Sequence, residues 1–516
     1  MDDGMVNRRD FIKLGAATGT ALALGGFLTS AGCAHGQGGN EPQATASGPQ
    51  VACGAGKTDY DVIIVGAGPG GCLAAGRLAQ QGFSVGLFDL GSEERIGKPI
   101  VIEVEQDVFK SIGLPEPEGD LIAYDPKRIR IFSPRGKECI LIDCRDYMLP
   151  IAIYLDRFTQ NLMRQAIKGG VHFHGGCRAL APVCSGRSVR GVRFETPQGL
   201  AEISARLVID ASGNAAVLAR QLPEEYDMRF PEGIEHIVSA QNRLHSIDRV
   251  AAEQAVAAGR HASDEIWNRL GNYGVYSTVF SYLSLEQGIA YTLIGYKEAY
   301  AQCNIPVSQA VQRFQQEQGY YAEPRLGGAG LIRIRHSLDS PVADGFLAIG
   351  EAACQVVPMH ASGVASSLYA GHLAAQAAAA ALHSGYPCAA ALWPYAARYQ
   401  RTRGRVLAAL DATRLTIDGF QVEDVTVMVE TGIMHRDDIV GGLMVKEPTI
   451  GVGSIPARLG GLVRHPGFMP RLMKMGMRAQ AVADHYGRYP ERYDPQALIA
   501  WRREKESLFG PLLTQS

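Results

Sequence analysis

The clearest chemistry in this 516-residue chain is carried by six residues, Gly66-Ala67-Gly68-Pro69-Gly70-Gly71. They follow the apolar run Asp61-Val62-Ile63-Ile64-Val65 and open a helical pattern that continues to Gln81. In a strand–turn–helix of this kind the first glycine permits the tight turn. The second lets backbone approach a pyrophosphate, and the third lets helix pack on strand. The free N–H groups and the dipole at the helix N-terminus then favour phosphate. Asp89 ends the next apolar run, Ser84 to Asp89, and is placed to accept hydrogen bonds from adenosine ribose hydroxyls. This much predicts a dinucleotide and does not choose between NAD and FAD.

Two distant elements predict FAD. Asp344-Gly345-Phe346-Leu347-Ala348-Ile349-Gly350-Glu351 runs from strand to turn and is followed by Pro358 and by Ser362-Gly363-Val364 at a helix start. An acid in that turn, Glu351, can bind ribityl hydroxyls. Backbone N–H groups at Gly363 and Val364 can face the pyrimidine edge of a flavin and stabilise negative charge there. Val208-Ile209-Asp210-Ala211-Ser212-Gly213 is a third strand that ends in Asp and Gly, and Asp210 and Gly213 are expected to bind the cofactor. Gly327-Gly328-Ala329-Gly330 lacks a strand–turn–helix setting and is not a second phosphate loop.

For proton chemistry His360 stands out, in the turn beside the expected flavin ring, as a general acid or as a histidine bonded to backbone. Tyr276, Tyr282 and Tyr291 line a substrate face or fill a core. Glu103 and Glu105 read as solvated surface acids. The ten cysteines form no CxxC pair and no Cys/His set with metal spacing, so no metal is expected.

These residues need a scaffold. The reading is α/β: a discontinuous Rossmann-type FAD domain from 59–105, 146–222 and 336–388, and a strand-rich α+β substrate domain from 106–145 and 223–335. A helical C-terminal region, 389–516, completes it. The FAD domain includes an amphipathic helix from Tyr154 to Gly169 and an alanine-rich one from Val364 to Leu382. Lys and Arg number 50 against 52 acids, which gives no basic excess to suggest nucleic acid.

Residues 1–35 read as an address. Asn7-Arg8-Arg9-Asp10-Phe11-Ile12-Lys13 is a twin-arginine pattern, and Leu14 to Leu28 is apolar but too short and glycine-rich to span a membrane. Such signals serve a route that exports folded proteins. Ser30-Ala31-Gly32-Cys33 leaves two outcomes open, lipidation at Cys33 or simple cleavage. Residues 36–58 form a flexible linker. The expected location is the periplasm or the outer face of the cytoplasmic membrane. From Ala457 to Gln480 five bases and no acid are interleaved with methionines; this stretch is a membrane-surface segment, a lid, or a helix packed on the core. Pro466 and Pro470 confine any helix there to the residues after them.

With these motifs in view, the chain resembles flavoproteins of the geranylgeranyl reductase family, within the hydroxybenzoate-hydroxylase-like group. Val65–Asp89, Tyr154–Gly170, Val208–Gly213 and Asp344–Gly371 carry the resemblance, and Gly350–His360 is its most specific part. Glu351 stands where the family has Asp, and Ala361-Ser362-Gly363 replaces a run of glycines. The resemblance implies a flavin contact for Arg157. The family's Tyr-x-Trp-x-Phe-Pro substrate motif is not found; Tyr273–Phe280 lacks its Trp and Pro. The resemblance implies hydride transfer at flavin N5 to or from a C=C bond of an apolar, isoprenoid- or quinone-like molecule. Flavin monooxygenation, halogenation, or electron transfer to a membrane complex are the alternatives. Export removes the protein from cytoplasmic NAD(P)H, so a quinone or a redox protein is the expected electron partner.

Overall fold

A computed structural model describes residues 58–228, 230, 236–297, 305–448 and 455–513. The twin-arginine pattern, Cys33 and the linker up to residue 57 lie outside the described residues.

The apolar run at the start forms strand β1 (Tyr60–Val65), whose last four residues are buried. Gly66 ends it. Helix α1 (Pro69–Ala79) begins with proline at its first position, where a missing N–H is harmless, and leads to β2 (Val85–Phe88). β3 (Val101–Val104), α2 (Asp107–Ile112), β4 (Ile122–Tyr124), the hairpin β5 (Arg128–Phe132) and β6 (Glu138–Asp143), and β7 (Ile151–Tyr154) follow. Helix α3 (Leu155–Lys168) buries Leu155, Phe158, Leu162, Met163 and Ala166 at helical spacing and stops at Gly169. Then come β8 (His172–His174), β9 (Arg178–Ser185), β10 (Ser188–Thr196) and the long β11 (Gly199–Asp210).

The second half contains β12 (Ile237–Ile247), α4 (Arg249–Ala257), β13 (Glu265–Leu270), β14 (Ser277–Ser284), β15 (Ile289–Tyr296), α5 (Val307–Gln318) and β16 (Tyr321–Arg333). The chain then returns through β17 (Val342–Ala343) and β18 (Phe346–Ala348). Helices α6 (Val364–His383), α7 (Ala389–Tyr399), α8 (Arg405–Asp418), α9 (Val422–Glu430), α10 (Arg436–Leu443), α11 (Ile455–Arg464), α12 (Phe468–Gly487) and α13 (Pro495–Leu513) complete it. A π-helical turn, Gln400–Gly404, joins α7 to α8. Helix α11 precedes both prolines and Pro470 lies inside the first turn of α12, which corrects the expectation that the prolines confine helix to the residues after them. A first-turn proline loses no hydrogen bond.

Three sheets organise these elements. The first has the order β17-β18-β11-β1-β2-β8, with β18, β11, β1, β2 and β8 all parallel. Its strands are apolar on both sides, as a sheet covered by helices on both faces requires. β9 and β10 extend β11 as an antiparallel ribbon. The second sheet runs β16-β12-β15-β14-β13-β5-β6 and thus joins Arg128–Asp143 to the strands between Ile237 and Arg333. The third, β3-β7-β4, takes strands from both sides of positions 105/106 and 145/146. Gly327 to Gly330 lie within β16, where the Gly328 N–H donates to Asn242 Oδ1 at 3.1 Å.

Candidate functional site

In the parallel sheet the chain order reverses between β1 and β11, and the two turns beyond these strands touch. Such a switch point, at the carboxyl ends of the strands, is where α/β sheets place ligands. Gly66 adopts φ +106°, and a Cβ there would lie 2.3 Å from the Ala211 carbonyl oxygen. A Cβ on Gly71 would lie 2.1 Å from the Gly66 oxygen, and one on Gly70 2.3 Å from Ser367 Oγ. Three glycines are therefore demanded by packing within the protein. Gly68 differs: a Cβ there would meet nothing within 4 Å. It caps α1 in extended conformation, with Pro69 next and no acid in the first turn. This open glycine and the helix N-terminus behind it are the shape a pyrophosphate needs.

Asp89 braces this loop. Its Oδ2 accepts the Ala67 N–H at 2.7 Å and its Oδ1 the Gly91 N–H at 2.7 Å. Each oxygen keeps acceptor capacity for a ribose hydroxyl. Asp210 has a different role from the one expected. It is fully buried, and its carboxylate takes four donors from its own loop: Ser212 N–H and Oγ–H, Leu218 N–H and Ala219 N–H. Asp210 builds the turn that Gly66 packs on and has no face left for a cofactor. Gly213, in the left-handed region at φ +71°, opens the next turn.

Glu351 lies opposite. Its Oε2 is 3.7 Å from where a Gly213 Cβ would be, and its Oε1 3.8 Å from where a Gly363 Cβ would be. The carboxylate is half-buried and has no hydrogen-bond partner among the described residues. A half-buried acid without a partner, held between two glycines, fits a polyhydroxyl chain passing through the gap. The turn carrying it is fastened from behind: the Gly350 N–H donates to Gln355 Oε1 at 2.6 Å, and Gln355 Nε2 donates to the Tyr395 hydroxyl at 2.9 Å.

The loop from Val356 to Gly363 ends at the N-terminus of α6, which has Gly363 as cap, Val364 first and no acid in its first turn. Ala361 holds φ +61°, a left-handed position at which the resembled family has glycine. Pro358 accepts the Tyr276 hydroxyl on its carbonyl at 2.5 Å, and Ser362 Oγ donates to the Glu103 carbonyl at 3.2 Å. All three sheets thus converge on one loop.

His360 lies in that loop with Nε2 buried and unpartnered. Burial pushes its pKa below the ordinary imidazole value, against the opposing pull of Glu105. Neither glutamate is a solvated surface acid, which corrects the sequence reading. Glu105 is 2% exposed; its Oε1 accepts Arg403 at 2.9 Å, while its Oε2 is buried without a partner. Glu103 accepts the Tyr124 hydroxyl at 2.6 Å, and burial raises its pKa. Arg403 also donates to Ser366 Oγ in the first turn of α6 at 3.1 Å. Orphaned buried polar atoms are rare, and two beside one loop mark a place built for something more than packing. Arg403 was not singled out from the sequence; the π-helical turn holding it left no residue pattern, though such turns favour functional sites. Arg157 does not join this group. It is exposed on α3, stacked over the Tyr154 ring at 4.1 Å and donating to the Asp120 carbonyl at 2.9 Å. The implied flavin contact for Arg157 is therefore corrected.

Beyond the loop lies a packed apolar core, so Tyr282 and Tyr291 fill a core. Tyr124 stacks on Tyr282 with centroids 4.3 Å apart and meets Tyr291 at 5.6 Å. Ile129, Ile131, Leu244, Ile266, Phe280 and Leu293 pack with them. Behind Tyr276 lies a buried ionic network. Arg414 donates to Asp411 at 2.7 Å and to Asp418 at 2.8 Å, and Lys297 donates to Asp418 at 2.7 Å. His336 Nδ1 lies 2.8 Å from Asp411, while an Arg335 N–H donates to His336 Nε2 at 2.8 Å. A ring nitrogen that accepts from arginine carries no proton, so His336 is neutral. Burial and Arg335 push its pKa down to about 3.

Residues 59–386 match the family model described as FAD binding domain, and residues 5–25 match the twin-arginine translocation pathway signal sequence. The chain is 29% identical over 363 residues to a digeranylgeranylglycerophospholipid reductase of Methanoculleus marisnigri, covering 68% of this chain and 84% of that protein. With the reductase of the same name from Sulfolobus acidocaldarius the identity is 22% over 470 residues, covering 87% and 97%. Among solved structures, a geranylgeranyl bacteriochlorophyll reductase-like protein from Thermoplasma acidophilum superposes with a TM-score of 0.64 at 18% identity, covering 81% of this chain and 99% of that one. The flavin-dependent brominase Bmp2 gives 0.53 at 17%, covering 75% and 93%. At these identities the structural likeness concerns fold alone.

Proposed function

The chain belongs to the FAD-binding domain family, and we propose that this FAD-dependent oxidoreductase reduces a C=C bond in an apolar, isoprenoid-like molecule. The observation that carries the reading is the convergence at Pro358–Gly363, where the flavin-side loop meets an aromatic and aliphatic face through Tyr276 and Ser362. The names of the curated relatives support the substrate class.

Bound FAD supplies a two-electron carrier that delivers hydride from N5. Gly66–Gly71 and Glu351 hold the pyrophosphate and the polyhydroxyl chain. The first turn of α6, at Gly363 and Val364, offers N–H groups to negative charge at the ring's pyrimidine edge. The buried tyrosine cluster gives the loop a rigid, water-free apolar backing. His360, neutral and beside Glu105, holds or orients the proton required at the second carbon. The electron pair enters from a quinol or a reduced redox protein outside the cytoplasm, where the exported protein works, either free in the periplasm or held at the membrane through Cys33.

The test is anaerobic. Dithionite-reduced protein is mixed with an isoprenoid lipid, and flavin reoxidation and product mass are followed. Reoxidation with a gain of two hydrogens per double bond is expected. Oxygen or halogen incorporation under air with no anaerobic turnover would replace this reading with monooxygenation or halogenation. Fast reduction of the flavin by NADPH in stopped flow would remove the quinone or redox-protein partner.

A further inference from the structure

We propose that the exposed face of α11 and α12 docks on an anionic phospholipid bilayer. Between Glu447 and Asp484 the chain has no acidic residue and five basic ones. Two of the five are used internally: Arg458 pairs with Asp438 at 2.8 Å and Arg471 with Asp424 at 2.8 Å. Arg464, Lys474 and Arg478 have no acidic partner among the described residues.

The same helices expose large apolar side chains. Val463 is 76% exposed, Met473 54% and Met477 69%, with Leu459 and Met469 beside them. On α12, Met469, Met473 and Met477 recur every four residues and form one stripe, and Pro470, Lys474 and Arg478 form the adjacent one. Pro470, Met473, Met477 and Leu508 line a shallow hollow of about 460 Å³ whose rim carries Lys474 and Arg478. The opposite side of α12 is spent on the protein, with Leu472, Val482 and Tyr486 buried.

Charge decides the occupant. Unpaired bases beside a flexible apolar stripe match a negatively charged surface with an apolar interior, the usual arrangement of interfacial helices. No helix among the described residues is long and apolar enough to cross a membrane, so contact here is lateral. The inference stands apart from the substrate assignment, because the docked face contains none of the flavin-site residues.

The test uses the chain from Lys57 onward, a compact unit that contains every described element, loaded with FAD. It is floated with vesicles of phosphatidylcholine alone or with one-third phosphatidylglycerol. Retention on the anionic vesicles, falling as salt is raised, is expected. K474Q/R478Q should lower the partition coefficient about 30-fold, at roughly fivefold per base near a charged surface. M473S/M477S should lower it as well. Bound flavin absorbance checks that each variant is folded. Equal retention on neutral vesicles, insensitivity to both double variants, or no retention at all would overturn the proposal.

Discussion

Replacing Arg403 by Met tests whether the Glu105–Arg403 pair is the buried brace that its geometry suggests. The two side chains meet at 2.9 Å with 14% and 2% exposure, and one oxygen of Glu105 already lacks a partner. Removing one member of such a pair costs about 3–5 kcal/mol, because a charge is left in a place from which water is excluded. The lost hydrogen bond to Ser366 Oγ adds about 1 kcal/mol. Urea unfolding of the flavin-loaded protein at pH 8, followed by circular dichroism and flavin release, should show R403M less stable by about 4–6 kcal/mol. R403M/E105M removes both charges, keeps most of the volume and should recover to within about 2 kcal/mol of the parent. A single-variant loss under about 1 kcal/mol, or a double variant no better than the single, would show that the pair is solvated and the reasoning wrong.

Gly68→Ala should fold like the parent, since its Cβ meets nothing within 4 Å, yet bind FAD about 10- to 100-fold more weakly by fluorescence titration of the apoprotein. Gly71→Ala, 2.1 Å from the Gly66 oxygen, should instead lower folded yield itself. Glu351→Ala should weaken FAD about 10-fold, the loss of one charge-assisted hydrogen bond, and Glu351→Asp should restore most of it in the same titration. Stability should fall as pH drops below about 6.5. His336 and His261, pushed down to about 3 and about 4 by burial, refuse protons in the folded state that the unfolded chain accepts. The unfolded state then binds more protons, so stability is lost on acidification, by about 2.7 kcal/mol per pH unit while both contribute. Urea midpoints at pH 7, 6 and 5 read this, and His336→Gln should lower the slope by about 1.4 kcal/mol per pH unit.

Elements whose cause is local could be read directly. Gly66–Gly71 between two apolar runs gives β1, α1 and β2 to within about two residues, because the turn needs glycines and a parallel strand needs an unbroken apolar run. The amphipathic period of α3 and the alanines of α6 gave those helices in the same way. What failed depends on burial and on partners that the order of residues does not reveal. Asp210 looked like a ligand because its position in the chain does not reveal that four donors from its own loop saturate it. Glu105 looked solvated because its partner, Arg403, is 298 residues away. Arg157 was carried over by resemblance, whereas its place on the helix turns it outward. The ionic network at Asp411 and Arg414 has an i,i+3 spacing typical of any exposed helix; only the surrounding helices bury it.

Ser367 sits where Gly70 and Gly350 both press against it, and Gly371 crowds the Gly70 carbonyl from the same helix. The flavin cradle is thereby closed by a crossing of chain segments some 300 residues apart, and Arg403 and Tyr395 reach it from further still. A partly synthesised chain holds only half a cradle. Seating of FAD accordingly requires that almost the entire polypeptide has reached its final arrangement, and the signal at residues 5–25 belongs to a route for finished cargo. Lesions in the C-terminal helices should therefore surface as chains retained in the cytoplasm, before any defect in turnover could be seen outside it.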